Sequence, residues 1–308
     1  MTALDRVAGD YLAVRRSFGY RLRQEEQLLA SFTTYLQARG LDRVTVTAAL
    51  GWASQPGHAS PAWHAKRLSA VRGFAAYLAT INPASEVLPR GLLPGRASRS
   101  ASYLYSPQQV RALMAAASRL ACPLRAATFE TFIGLMAATG LRTGEAMALD
   151  RADADLAEGV LTIRSSKLGK SRLVPLHPTT TAALARYAIR RDQLCPHPIT
   201  QAFFLSGAGT RLNHTNSSTT FTGLLAAAGI AAPEGERRPR LYDLRHSFAV
   251  ATLARWHAEG AEVQARLPVL STYLGHVRPS STYWYLQAAP ELLTAAAARL
   301  ECFLGDKL

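Results

Sequence analysis

From Asn82 to Ser102 the sequence reads NPASEVLPRGLLPGRASRSAS, with three prolines and two glycines. Each proline removes a backbone donor and fixes φ, and each glycine has more conformational entropy to lose on ordering, so no helix or strand is expected to run through it. The stretch reads as an interdomain linker. A chain of 308 residues is long enough for two hydrophobic cores. The expected division is a first domain over 1–82, a linker over 83–103 and a second domain over 104–308.

Ahead of the linker, Leu28, Leu29, Phe32, Tyr35 and Leu36 recur at helical spacing, as do Leu68, Val71, Phe74 and Leu78, and both stripes suit the core of a small helical bundle. Beyond it, SPQQVRALMAAA opens with Ser106 as a helix cap and Pro107 at the first helical position. The one clear strand signal is GVLTIRSSKLGKSRLVPL, Gly159 to Leu176, two β-rich runs joined by a turn that contains Gly169. The pattern after Leu241 is helical again. The expected fold is therefore mainly α with a small β-sheet or hairpin.

Thirty-five Lys and Arg against 21 Asp and Glu give a formal charge of +14, which suits a polyanionic partner whose counterions the protein displaces. Nucleic acid is the first partner to consider. A basic membrane-surface protein fits less well, because the cations are spread along the chain. Asp5 and Asp10 interrupt the place where a signal peptide needs an apolar run, and no run reaches transmembrane length, so a cytoplasmic protein is expected. Cys122, Cys195 and Cys302 are far apart and odd in number, which indicates neither a disulfide framework nor a zinc site. Asp150, Asp153 and Asp155 are bunched, but in a polar segment that reads as a turn rather than a metal cage.

Arginine is preferred throughout, and the lysines are Lys66, Lys167, Lys170 and Lys307. Lys167 and Lys170 in the hairpin turn are therefore informative. A proton donor to a departing alkoxide must release its proton, which arginine, with a pKa above about 12, does poorly and lysine can be tuned to do. In ATGLRTGEAMAL, Arg142 and Glu145 lie three apart at an apparent helix start, where the carboxylate can brace the guanidinium; a surface ion pair is the plain alternative. In LYDLRHSFAVATLARW, Tyr242 shares a helical side with Arg245 or His246. In LGHVRPSSTYWYLQ, Tyr283 and Tyr285 follow His276; on a helix, residues two apart point about 200° from one another, so only one of the two can face a common site.

Taken in order, Arg142, Lys167, Tyr242-x-x-Arg245, Leu274-Gly275-His276 and a tyrosine shortly after resemble the catalytic boxes of the tyrosine recombinases, the phage integrase family, over residues 104–295. The resemblance implies a two-domain DNA clamp, a helical-bundle core-binding domain with a mixed α/β catalytic domain. It implies strand breaking and rejoining with no cofactor and no metal ion. Tyr285, nine residues after His276, is then the nucleophile that forms a 3′-phosphotyrosine, and Tyr283 a packing residue. Lys167 becomes the proton donor, Arg142 and Arg245 bind the non-bridging oxygens, Tyr242 and His276 hold the phosphate, and Glu145 supports the arginines. Tyr242 departs from the family's usual histidine: a phenol donates a hydrogen bond but does not titrate near neutral pH.

The expected DNA contacts are Lys66, Arg67 and Arg72 in the first domain and Lys170 and Arg172 at the hairpin, with a solvated surface as the plain alternative for the first-domain cations and for Lys170. The resemblance further implies double-stranded DNA as partner, a homo-tetramer on that DNA, other recombinases as candidate partners, no membrane, and an origin in a mobile element. The apolar stripe over 290–304 suits a C-terminal segment passed to a neighbouring subunit or packed on its own. Two other readings share the boxes: a type IB topoisomerase, which reseals the same strand, and a DNA-binding relative without the reaction.

Overall fold

The computed structural model describes residues 2–20, 22–55, 57–94, 102–164, 171–232, 237–276 and 282. The chain divides into two compact units, Met1–Arg99 and Ser100–Leu308. The first contains α1 (Ala3–Ser17), α2 (Arg23–Gln37), α3 (Val46–Ala53) and α4 (Pro61–Ile81). Their starts are set locally: Thr2 and Asp5 exchange side-chain and backbone hydrogen bonds ahead of α1, and the side chains of Thr45 and Ser60 accept from backbone N–H groups three residues on. Both apolar stripes face inward. Leu29, Phe32 and Leu36 from α2 meet Leu68, Val71 and Phe74 from α4, all buried, and Phe32 lies against Trp52 with ring centroids 5.1 Å apart.

The proline-rich segment contributes to this core at its beginning. The Glu86 N–H donates to the Val44 carbonyl (2.8 Å), the Glu86 carboxylate accepts from the Val46 N–H (2.6 Å), and Leu88 is buried. Prolines forbid regular structure there without forbidding packing. Arg67, expected among the DNA-facing cations, is 9% exposed; its guanidinium lies 3.9 Å over the Trp52 ring and donates to the Trp52 carbonyl at 2.8 Å. It is a core residue. Lys66 is exposed and donates to Gln24, and half-buried Arg72 donates to the Pro89 carbonyl.

The second unit runs α5 (Pro107–Ser118), α6 (Pro123–Thr139), α7 (Thr143–Ala148), β1 (Ala154–Asp155), β2 (Val160–Ile163), β3 (Arg172–Pro175), α8 (Pro178–Leu194), α9 (His214–Ala227), α10 (Asp243–Ala258) and α11 (Val263–Leu274). The strands form one antiparallel sheet in the order β1-β2-β3, with Leu161 opposite Val174. The hairpin is the one legible in the sequence. The aspartate-rich segment before it supplies a 3-10 turn (Arg151–Asp153) and β1, and the buried Asp153 carboxylate pairs with Arg164. Helix α6 is the central strut, with Phe129, Phe132, Ile133 and Met136 all buried and Phe132 edge-on to Phe204 at 5.1 Å. Helix α10 packs on both α6 and α11. Among the described residues, no helix is long and apolar enough to cross a membrane, Cys122 and Cys195 are free thiols, and no group of three or more His, Cys, Asp and Glu side chains is placed to hold a metal ion.

Replacing Phe132, buried on every side, with alanine removes packing that the surrounding aromatic rings cannot refill. The expected destabilisation is about 3–5 kcal/mol, read as a lower denaturant midpoint at unchanged m. A shift of the midpoint much smaller than this would place the core of this unit elsewhere.

Candidate active site

Helices α6 and α11 end in the same way, and the site is built on those ends. Each stops at a glycine in the left-handed region, Gly140 (φ 60°) and Gly275 (φ 69°). At α11 the Gly275 N–H bonds back to Thr272 and the His276 N–H to Ser271, both at 2.9 Å, a Schellman ending that turns the chain sharply at Leu274-Gly275-His276. The last carbonyls of a helix lack intrahelical donors and carry partial negative charge. Here arginines supply the donors. Arg245 donates to the carbonyls of Gly140 (2.8 Å) and Leu274 (2.7 Å), Arg142 to Gly275 (2.5 Å) and Arg172 to Tyr273 (2.9 Å). A Cβ at Gly275 would come within 2.6 Å of Arg172 Nη1 and 3.2 Å of Arg142 Nη1, so close approach as well as backbone angle requires glycine.

Glu145, in the first turn of α7, joins two of these arginines. Its Oε1 accepts from Arg142 Nη1 at 2.6 Å and its Oε2 from the Arg142 backbone N–H at 3.1 Å. Arg172 grips both oxygens in a fork, Nη1 to Oε1 at 3.1 Å and Nη2 to Oε2 at 2.8 Å. Burial alone would push this carboxyl up, but the hydrogen bonds and charge of Arg172, then of Arg142, outweigh it and hold it below the usual glutamate value. Three guanidinia against one carboxylate leave the cluster positive.

Tyr242 immediately precedes α10, and Arg245, 0% exposed, lies in its first turn. Asp243 between them is buried; its carboxylate accepts from the Arg240 N–H (2.8 Å) and Arg237 (3.0 Å) and fixes the entry to the helix. The Tyr242 ring meets the His246 ring edge-on, with centroids 5.1 Å apart. His276 Nδ1 lies 2.7 Å from Thr282 Oγ1. Desolvation, followed by the charges of nearby arginines, pushes both His246 and His276 down to about 4. Both rings are therefore neutral at physiological pH.

The structure thus brings Arg142, Glu145, Arg245 and His276 together and sets Tyr242 one ring away, through His246. Arg172, expected as a DNA contact, is instead drawn into the cluster. Lys167, Lys170, Tyr283, Tyr285 and the segment 290–304 lie outside the described residues. Sequence reasoning did not select Asp243 or His246, although both flank the Tyr242-x-x-Arg245 box directly. A separate cavity of about 950 Å³, lined by residues such as Val110, Met114, Leu135, Tyr187 and Phe248, contains none of the arginine cluster.

The depressed histidines set a pH dependence of stability. An unfolded imidazole takes up a proton near pH 6.5, whereas these do so only near 4, so unfolding binds protons in between, and stability present above about 6.5 is lost as pH falls toward 4. Thermal melting followed down through that window is expected to show a falling midpoint, and His246→Gln to flatten the fall. An equal slope in the variant would show that His246 carries none of it.

Comparison with known proteins places the chain in a family. The model of the phage integrase family matches residues 104–291. A protein named "Putative integrase/recombinase y4rB" from Sinorhizobium fredii is 40% identical over 307 residues, 98% of each chain. Tyrosine recombinase XerD of Xanthomonas campestris pv. campestris is 30% identical over 268 residues, 85% of this chain and 78% of that one. Among solved structures, the XerH site-specific recombinase bound to palindromic difH substrate shares the fold with a TM-score of 0.64 at 19% identity, over 89% of this chain and 78% of that one. The Tn1549 transposon integrase in complex with a circular intermediate DNA gives 0.62 at 16% identity, over 96% and 99%. With the matched span enclosing Arg142, Glu145, Arg245 and His276, and a relative alike along nearly its whole length, this chain belongs to the phage integrase family, the tyrosine recombinases.

Proposed function

We propose that this protein is a site-specific recombinase that cuts and rejoins double-stranded DNA through a 3′-phosphotyrosine at Tyr285. The observation that carries the reading is the convergence of Arg142 and Arg245 on two helix ends beside a neutral His276. In the reaction the Tyr285 oxygen bonds to phosphorus while the bond from phosphorus to the 5′-oxygen breaks. Charge gathers on the non-bridging oxygens of the five-coordinate phosphorus, and the guanidinium groups of Arg142 and Arg245 stabilise it. Lys167 gives its proton to the leaving 5′-oxygen, and the neutral His276 accepts the phenol proton. A 5′-hydroxyl from another strand then reverses the step, so the bond energy is retained in the protein–DNA ester.

Exchange between two duplexes calls for a tetramer of this chain, and likeness to integrases supports a role in a mobile element. The first unit, with exposed Lys66 and with Arg72, is read as the domain that grips the duplex. Tyr242 donates to a phosphate oxygen in place of the family's usual histidine.

Incubation with a nicked duplex carrying the recombination site is expected to leave a covalent adduct that Tyr285→Phe abolishes and Tyr283→Phe spares. The reverse pattern would move the nucleophile. Strand exchange between two labelled duplexes is the product expected of a recombinase; relaxation of supercoils without exchange would make the protein topoisomerase-like. For the first unit, Lys66→Ala is expected to reduce the slope of log affinity against log salt by about one, while Arg67→Ala lowers the melting temperature and leaves the slope unchanged. Equal slopes for wild type and Lys66→Ala would remove Lys66 from the interface.

A further inference from the structure

Arg172 opens β3 five residues after Lys167 in sequence, and a cation there reads naturally as a contact to the DNA backbone. Its surroundings argue otherwise. The Arg172 side chain is 12% exposed, against 22% for Arg142. Its Nε donates to the Tyr273 carbonyl, and both its terminal nitrogens donate to Glu145. The close packing of its guanidinium against Gly275 leaves no room for a Cβ there. Three segments that are distant in sequence therefore meet on one side chain: β3, the α7 turn that begins at Arg142, and the α11 ending that leads into His276.

We propose that Arg172 is a positioning residue for the cleavage step, acting through Glu145 and the end of α11 to fix the face from which Arg142 and His276 meet the phosphate. The proposal rests on the recombinase reading above. Its chemistry is that of a shared counter-ion. With Arg172 in place, the Glu145 carboxylate is divided between two guanidinia and Arg142 keeps charge for the substrate. Without it, Glu145 pairs with Arg142 alone and draws that charge inward, and the turn holding His276 loses the donor beneath it. Lysine cannot restore the arrangement, because one ammonium cannot form the fork to both carboxylate oxygens and reach the Tyr273 carbonyl.

The test is single-turnover adduct formation by full-length wild type, Arg172→Lys, Arg142→Ala and Lys167→Ala at saturating protein. Two nicked duplexes are used, one with the natural phosphodiester and one with sulfur at the scissile 5′-bridging position. A thiol is far more acidic than an alcohol, so the sulfur leaves without a proton donor. Arg172→Lys is expected to slow adduct formation about 10- to 100-fold, the usual cost of a misplaced supporting group, with DNA affinity unchanged. Sulfur is expected to restore Lys167→Ala but neither Arg172→Lys nor Arg142→Ala. Arg172→Gln, which removes the charge and the fork but leaves Glu145 to pair with Arg142, should give the same signature and carries the test should Arg172→Lys fail to fold. Wild-type rates in both variants, a loss confined to DNA affinity, or recovery of Arg172→Lys on sulfur would each overturn the proposal. No adduct with wild type on either duplex would overturn the recombinase reading with it.

Discussion

Three guanidinia share one small volume in the second unit, and they can do so because Glu145 and the carbonyls of Gly140, Tyr273, Leu274 and Gly275 surround them. An arginine removed from water costs free energy unless its donors are met, and a buried charge without a partner costs several kcal/mol. Helix ends offer acceptors that the helix itself cannot satisfy. The left-handed glycines that stop α6 and α11 are thus the first link in a chain that leads from backbone conformation to exposed carbonyls and then to arginine orientation.

Burial first, and the charge of nearby arginines second, set the state of the histidines. Desolvation and positive charge keep His246 and His276 neutral, so each ring has one donor and one acceptor nitrogen. A phosphodiester carries one negative charge, which would lower the positive charge beside these rings without reversing it, and so favour the protonated imidazole.

Much of this was legible because it is local. The stripes of α2 and α4, the Ser106 cap and the β2–β3 hairpin follow from periodicity and turn chemistry, and Arg142 with Glu145 is a spacing of three on one helix start. Arg67 and Arg172 lie where the sequence did not place them, for a common reason. A sequence shows that a side chain is cationic, but whether it meets solvent or an indole ring, a phosphate or a buried carboxylate, depends on contacts across 15 residues for Arg67 and 27 for Arg172. The segment after Asn82 likewise gave no periodic signal, because its packing on the first core through Glu86 and Leu88 uses irregular backbone. His246 lay beside a recognised box, yet its role depends on burial, which composition does not show.

The most direct test of the arginine cluster as the stabiliser of phosphate charge is cleavage of a duplex whose scissile phosphate is a neutral methylphosphonate, compared between wild type and Arg142→Ala. With one non-bridging oxygen replaced by methyl, there is less charge for Arg142 to meet. The variant's deficit relative to wild type is therefore expected to shrink sharply from its value on the natural diester. A deficit of equal size on both substrates would contradict the account, because Arg142 would then act on something other than the charge of the phosphate.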